Sequence, residues 1–110
     1  MKLISENICL HTDKIKLVIN EKTVNIEFRQ YTALKLIMLN AGQVVSKTHI
    51  INTLWNTSKI VADDRSLFII ITQLQLFLSQ HDISKELIRT VQADGYMFTT
   101  EVALEYNFSH

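Results

Sequence analysis

The sequence predicts an α+β domain: a small antiparallel sheet, three helices, and a terminal β-hairpin. Three observations carry that prediction. Apolar side chains alternate at a period of two up to residue 28, recur at helical spacing over residues 30–80, and return to strand-like runs around an Asp-Gly pair within residues 87–102. All 110 residues are expected to form one domain, long enough to bury a core without metal or disulfide help.

Ile15-Lys16-Leu17-Val18-Ile19 and Val24-Asn25-Ile26-Glu27-Phe28 each place apolar residues on one face. Polar Asn20-Glu21-Lys22 reads as the turn between them, and Asn7–His11 as an earlier strand, so the sheet is expected over residues 7–28. Tyr31, Leu34, Ile37 and Met38 then define a helix over Gln30–Asn40, stopped at Asn40-Ala41-Gly42, where glycine tolerates the left-handed conformation of a helix end. Ser46 is placed to cap a second helix whose apolar stripe is Ile50, Ile51, Leu54 and Trp55. After the polar connection Asn56–Val61, Asp63 or Asp64 caps a third helix reaching about Ser79. Finally, Leu87–Gln92 and Tyr96–Val102 flank Ala93-Asp94-Gly95, a strong hairpin signal in which Gly95 is expected to supply a positive φ.

Composition excludes several chemistries. The chain has two glycines and no proline, so neither a Walker phosphate loop nor a dinucleotide-binding turn can be built. Cys9 is the one cysteine, which excludes a disulfide framework and a thiolate metal cluster and fits a reducing cytoplasm. His11, His49, His81 and His110 are scattered without metal-ligand spacing. Asp63-Asp64 reads as a helix cap rather than an acid/base pair, so no catalytic residue, cofactor or enzymatic activity is expected. Met1–Leu10 is too polar for a signal peptide, and the longest apolar run, Leu67–Ile71, falls far short of the ~20 residues of a membrane span, so no membrane contact is expected within these residues.

Four short runs occur in order: Asn40-Ala41-Gly42-Gln43-Val44-Val45-Ser46-Lys47, then Leu54-Trp55, then Asp64-Arg65-Ser66-Leu67, then Thr90-Val91 with Gly95-Tyr96-Met97-Phe98. In that order and spacing, residues 26–98 resemble the OmpR/PhoB-type winged-helix DNA-binding domain, including its ToxR-like branch. The resemblance implies a winged helix-turn-helix fold and a sequence-specific transcriptional regulator acting on double-stranded DNA. The third helix would enter the major groove, the hairpin would form the wing on the adjacent groove, and binding would involve a homodimer or a second regulator. It also implies the cytoplasmic N-terminal module of a membrane-anchored regulator, or a stand-alone module.

The chain departs from that family in charge. Formal net charge is zero, and no Lys or Arg lies between Ser66 and Ser84. From Ser66 to His110 two cations, Lys85 and Arg89, stand against five anions, Asp82, Glu86, Asp94, Glu101 and Glu105. The wing carries Gln92-Ala93 where the family usually has Arg-Gly. Weak binding with low salt dependence is therefore expected. Lys47, Lys59 and Arg65 are the candidate phosphate contacts, with solvated side chains, or for Arg65 a carboxylate partner, as alternatives. Trp55 is expected in the core with its indole N–H at the surface, where the resemblance lets it donate to a phosphate.

Helical geometry puts Leu67, Ile71, Leu74 and Leu78 on the core stripe of the third helix. Phe68, Ile69, Thr72, Gln73, Gln75 and Leu76 then turn toward solvent or a partner. Glutamine pairs bidentately with adenine, and Thr or apolar side chains touch the thymine methyl, so Ile69, Thr72, Gln73 and Gln75 fit an A/T-rich site, with Gln92 as the wing contact. Three fates remain open for Phe68, Ile69, Ile70 and Leu76: burial by an unusual packing, a protein-docking patch led by Phe68 and Leu76, or contact with DNA.

Overall fold

A computed structural model describes residues 1–56 and 62–106. Eight strands and three helices follow in order: β1 (Lys2–Ser5), β2 (Ile8–His11), β3 (Lys16–Ile19), β4 (Lys22–Val24), α1 (Phe28–Leu39), β5 (Val45–Ser46), α2 (Lys47–Leu54), α3 (Asp64–Gln80), β6 (Ile88–Val91), β7 (Gly95–Phe98) and β8 (Ala103–Glu105). One antiparallel sheet has the strand order β4-β3-β2-β1-β8, and a second has β5-β7-β6.

Alternation builds the first sheet. Leu3, Leu10 and Leu17 stand in register across β1, β2 and β3 and are completely buried. Tight turns join the strands. Asn20 and Glu21 both take positive φ, 52° and 68°, the two-residue primed turn whose twist matches the flanking strands. The buried leucine row merges with Tyr31, Leu34, Ile37 and Met38 of α1, Ile50 of α2, the inner stripe of α3, and Tyr96 and Phe98 of β7 in one core.

The sheet is wider and the fourth strand shorter than the sequence reading expects. β1 and β8 were not anticipated. They pair as Leu3↔Leu104, and all three residues of β8 are exposed, which hides any alternation. The strand expected through Phe28 ends at Val24. Glu27 adopts an extended cap conformation, its carbonyl accepts the Tyr31 N–H at 2.8 Å, and Phe28 already begins the helix with its side chain exposed. Ile26 packs on the core from an extended segment between strand and helix, which mimics strand alternation.

Gly95 also departs from expectation. The hairpin turn is Gln92–Asp94, closed by the Asp94 N–H on the Val91 carbonyl at 2.9 Å, and the positive φ belongs to Gln92 at 43°. Gly95 instead opens β7 opposite Ser46, and a Cβ there would overlap the Val45 carbonyl oxygen. Glycine is required by close backbone approach, while Gly42 is the glycine with the left-handed φ, 82°.

His11 is buried, and its Nδ1 has no hydrogen-bond partner among the described residues. Burial, then Lys16, Lys14 and Lys2, lower its pKa from the ordinary 6.5. The folded domain therefore favours the neutral imidazole. That contribution to stability is complete above about pH 6.5 and is lost as pH falls from there through the lower folded value.

Two outcomes are expected in urea denaturation. Gly95→Ala lowers the unfolding free energy by about 3 kcal/mol, the upper end of overpacking costs, because its obstacle is backbone. Gly42→Ala, which meets open space, costs only the ~1–2 kcal/mol of a left-handed conformation; the reverse order would contradict the assignment. Secondly, His11→Leu flattens the decline of stability between about pH 7 and 5 relative to the parent chain, as followed by urea midpoints across that range.

Candidate nucleic-acid interface

Two capped helices and the β6–β7 hairpin converge on one side of the core. Helix α2 begins at Lys47 because Ser46 Oγ accepts the His49 N–H at 3.1 Å. Helix α3 begins at Asp64 because Asp63 Oδ1 accepts the Ser66 N–H at 3.0 Å and its hydroxyl at 3.2 Å. These bonds hold the Asp63 carboxyl below its ordinary pKa. Both caps match the sequence reading. Lys47 Nζ lies 3.7 Å from the Asp64 carboxylate, joining the starts of the two helices. The buried Tyr96 phenol of β7 has its pKa raised, first by burial and then by Asp64.

Backbone bonds stitch the hairpin to this unit. Val45↔Tyr96 and Ser46↔Gly95 pair β5 with β7, the Lys47 N–H reaches the Asp94 carbonyl at 3.3 Å, and the Gly42 N–H reaches Phe98 at 2.9 Å. From the other side, Gln75 Nε2 donates to the Ile88 carbonyl at 2.9 Å, tying α3 to β6. One of its two amide hydrogens is thereby engaged by the fold, a constraint that the adenine-reading role expected from sequence does not include. Spacing alone could not show this, because the acceptor is a backbone carbonyl 13 residues away.

The expected core stripe of α3, Leu67, Ile71, Leu74 and Leu78, is buried. Phe68 and Leu76 are 60% exposed and Ile69 is 50% exposed, with Thr72 and Gln73 exposed beside them. Of the four apolar residues for which burial by unusual packing was an alternative, only Ile70 is buried. Ile70 precedes Leu74 by one turn and borders the core stripe, whereas Phe68, Ile69 and Leu76 project away from it.

The other candidates divide. Arg65 is exposed and forms no ion pair with the described residues, so the carboxylate partner considered for it is not found there. It follows the α2–α3 groove lined by Thr48, Ile51, Asn52 and Ala62–Arg65. Trp55 is half-buried at the far end of α2 from Lys47, packed on the core, with the Arg29 guanidinium 5.0 Å above its ring. Lys59 lies outside the described residues. Gln92 is exposed at the hairpin tip. Arg89, which the sequence reading counts only as a charge, projects into solvent from β6; the in–out step from Ile88 to Arg89 was the available signal.

Three helices, a hairpin and a helix-turn-helix stitched to it define a winged-helix α+β domain. The profile of the family described as "Transcriptional regulatory protein, C terminal" matches residues 21–98. The chain belongs to that family, the OmpR/PhoB-type DNA-binding domains of transcriptional regulators. It is 29% identical to the transcriptional regulator HilA of Salmonella typhimurium over 103 residues, which are 94% of this chain and 18% of HilA. The DNA-binding domain of Escherichia coli CadC superposes with a TM-score of 0.80 at 19% identity, covering 94% of this chain and 96% of that one. The Klebsiella pneumoniae RstA DNA-binding domain, solved with the RstA box, gives 0.72 at 22% identity, covering 90% and 98%. No helix among the described residues is long and apolar enough to cross a membrane.

Removing the α3–β6 tie has a measurable consequence. Gln75→Met is expected to lower the unfolding free energy by about 1 kcal/mol, the net worth of one hydrogen bond, in urea denaturation. Unchanged stability would show that the bond contributes nothing.

Proposed function

We propose that this domain binds double-stranded DNA at specific A/T-rich promoter sites, with α3 in the major groove and the β6–β7 hairpin on the adjacent groove. The observation that carries this is the exposed outer face of α3, bordered at its start by Arg65, which has no ion-pair partner among the described residues, and by the hairpin at its side. Arg65 sits at the positive end of the helix, where backbone amides and a cation together suit a phosphate. Ile69, Thr72 and Gln73 face the base edges. Lys47, Lys59, Trp55 and Gln92 complete the contact set, with Arg89 added on the wing.

Affinity alone is weak and is raised by a homodimer or a second regulator, since Lys47 is shared with Asp64 and the reading face of α3 beyond Arg65 is uncharged. The domain acts in the cytoplasm as the DNA-binding module of a ToxR-like regulator. The exposure of Phe68 and Leu76 supports one alternative, a winged-helix module whose third helix docks on another protein. Selection from a random duplex library separates the two. A recovered A/T-rich motif supports DNA readout; enrichment no better than background overturns it.

Salt dependence tests the phosphate contacts. Arg65, Arg89, Lys47 and Lys59 are the cations of this contact set, with Lys47 shared with Asp64. Anisotropy titrations are expected to give a log–log salt slope of about −3 to −4 per bound domain, and Arg65→Ala should make it shallower by about 0.9. A slope of about −6 or steeper per bound domain would require phosphate contacts that this set does not supply.

A further inference from the structure

We infer that α3 selects its site chiefly by the 5-methyl groups of thymines, through Phe68, Ile69, Thr72 and Leu76, rather than by amide hydrogen bonds to adenine. The inference rests on the DNA-binding reading above and deepens it. Residues 65, 69, 72 and 76 are spaced four, three and four apart, so Arg65, Ile69, Thr72 and Leu76 follow one stripe along the helix. Phe68 flanks it on the side of Gln75, seven residues on, and hence on the side of the hairpin.

Hydrogen-bonding capacity on this face is small. One of the two Gln75 amide hydrogens is held by the Ile88 carbonyl, and the Ser66 hydroxyl by Asp63. Between Arg65 and Leu76, Thr72 and Gln73 are the exposed polar side chains left, against three large exposed apolar ones. In the major groove only thymine presents an apolar group, its C5-methyl, and threonine meets it with a methyl of its own. From Ile69 to Leu76 the helix rises about 10 Å, close to three base-pair steps of ~3.4 Å. The stripe therefore fits a short thymine run.

Two observations favour this occupant over a protein. The stripe begins on a helix N-terminus at an exposed guanidinium with no ion-pair partner among the described residues, which suits a phosphate. Its three apolar side chains, bordered by Thr72 and Gln73, fall well short of the ~800 Å² that each partner buries in a stable protein interface.

The test uses the purified chain and the motif recovered from the random library, with two base substitutions. Deoxyuridine for thymine removes the methyl and keeps the hydrogen-bonding groups. 7-Deazaadenine removes the N7 acceptor that an amide would use. Each uridine at a contacted position is expected to weaken binding about four-fold, the worth of one buried methyl, and deazaadenine less than two-fold. Ile69→Ala and Leu76→Ala, exposed positions whose folding is checked by circular dichroism, should lose the uridine effect at one or two positions each. 5-Methylcytosine at those positions should bind more tightly than cytosine.

Several results would overturn the inference while leaving DNA binding intact: no uridine effect, a larger deazaadenine effect, or a uridine effect unchanged in all the α3 variants. Full DNA affinity in Phe68→Glu and Leu76→Glu would also overturn it and reassign the stripe to a protein. A library with no enriched motif removes the DNA-binding reading itself, and this inference with it.

Discussion

The approach of the Gly95 backbone to the Val45 carbonyl is the constraint on which the arrangement depends. β5 has only two residues, and they can pair with β7 because no side chain stands between them. That pairing places Ser46, the cap of α2, against the hairpin and lets the Lys47 N–H reach Asp94. Helix-turn-helix and wing thus share a hydrogen-bonded seam. Gln75 closes the opposite side by holding β6 to α3. The angle between helix and wing is set by main-chain bonds and one amide, which leaves the outer side chains free of structural duty.

The helices and the hairpin were legible because each has a local cause. Ser46 and Asp63 are caps that need only their own next turn, and the Leu67, Ile71, Leu74, Leu78 stripe needs only the helical period. What escaped the sequence reading depends on distant partners. β8 exists because β1 offers an edge about a hundred residues away, and its exposed Ala103–Glu105 shows no pattern. Gly95 has the composition of a turn residue, but its reason lies across the sheet in Val45. Gln75 resembles its neighbour Gln73 in sequence, and only the position of Ile88 separates them. The site was legible as a helix face and a hairpin; how its polar groups are spent was not.

The electrostatics give the surface a distinct character. Phosphate contacts raise affinity for every duplex alike, whereas base contacts raise it for one sequence. An α3 face whose only cation is Arg65, beside a lysine already shared with Asp64, contributes little to the first kind. Specific and random affinities both fall when phosphate contacts are few, but their ratio is kept by whatever reads the bases. A neutral domain of this kind spends less time on random duplex than a basic relative would.

The pairing of β1 with β8 bears on how the domain answers force. Lys2 and Glu105 face each other at one end of this antiparallel pair, bridged at 3.9 Å, so both ends of the strand pair leave from the same corner. Tension applied between them runs across the strands rather than along them. The ladder is then loaded one hydrogen bond at a time, in the manner of a zipper, and never in parallel as in shear. Pulled by its two ends, the five-stranded sheet is the part that yields first, while α3 and the wing, held by their own seam, carry no load until β8 has peeled away.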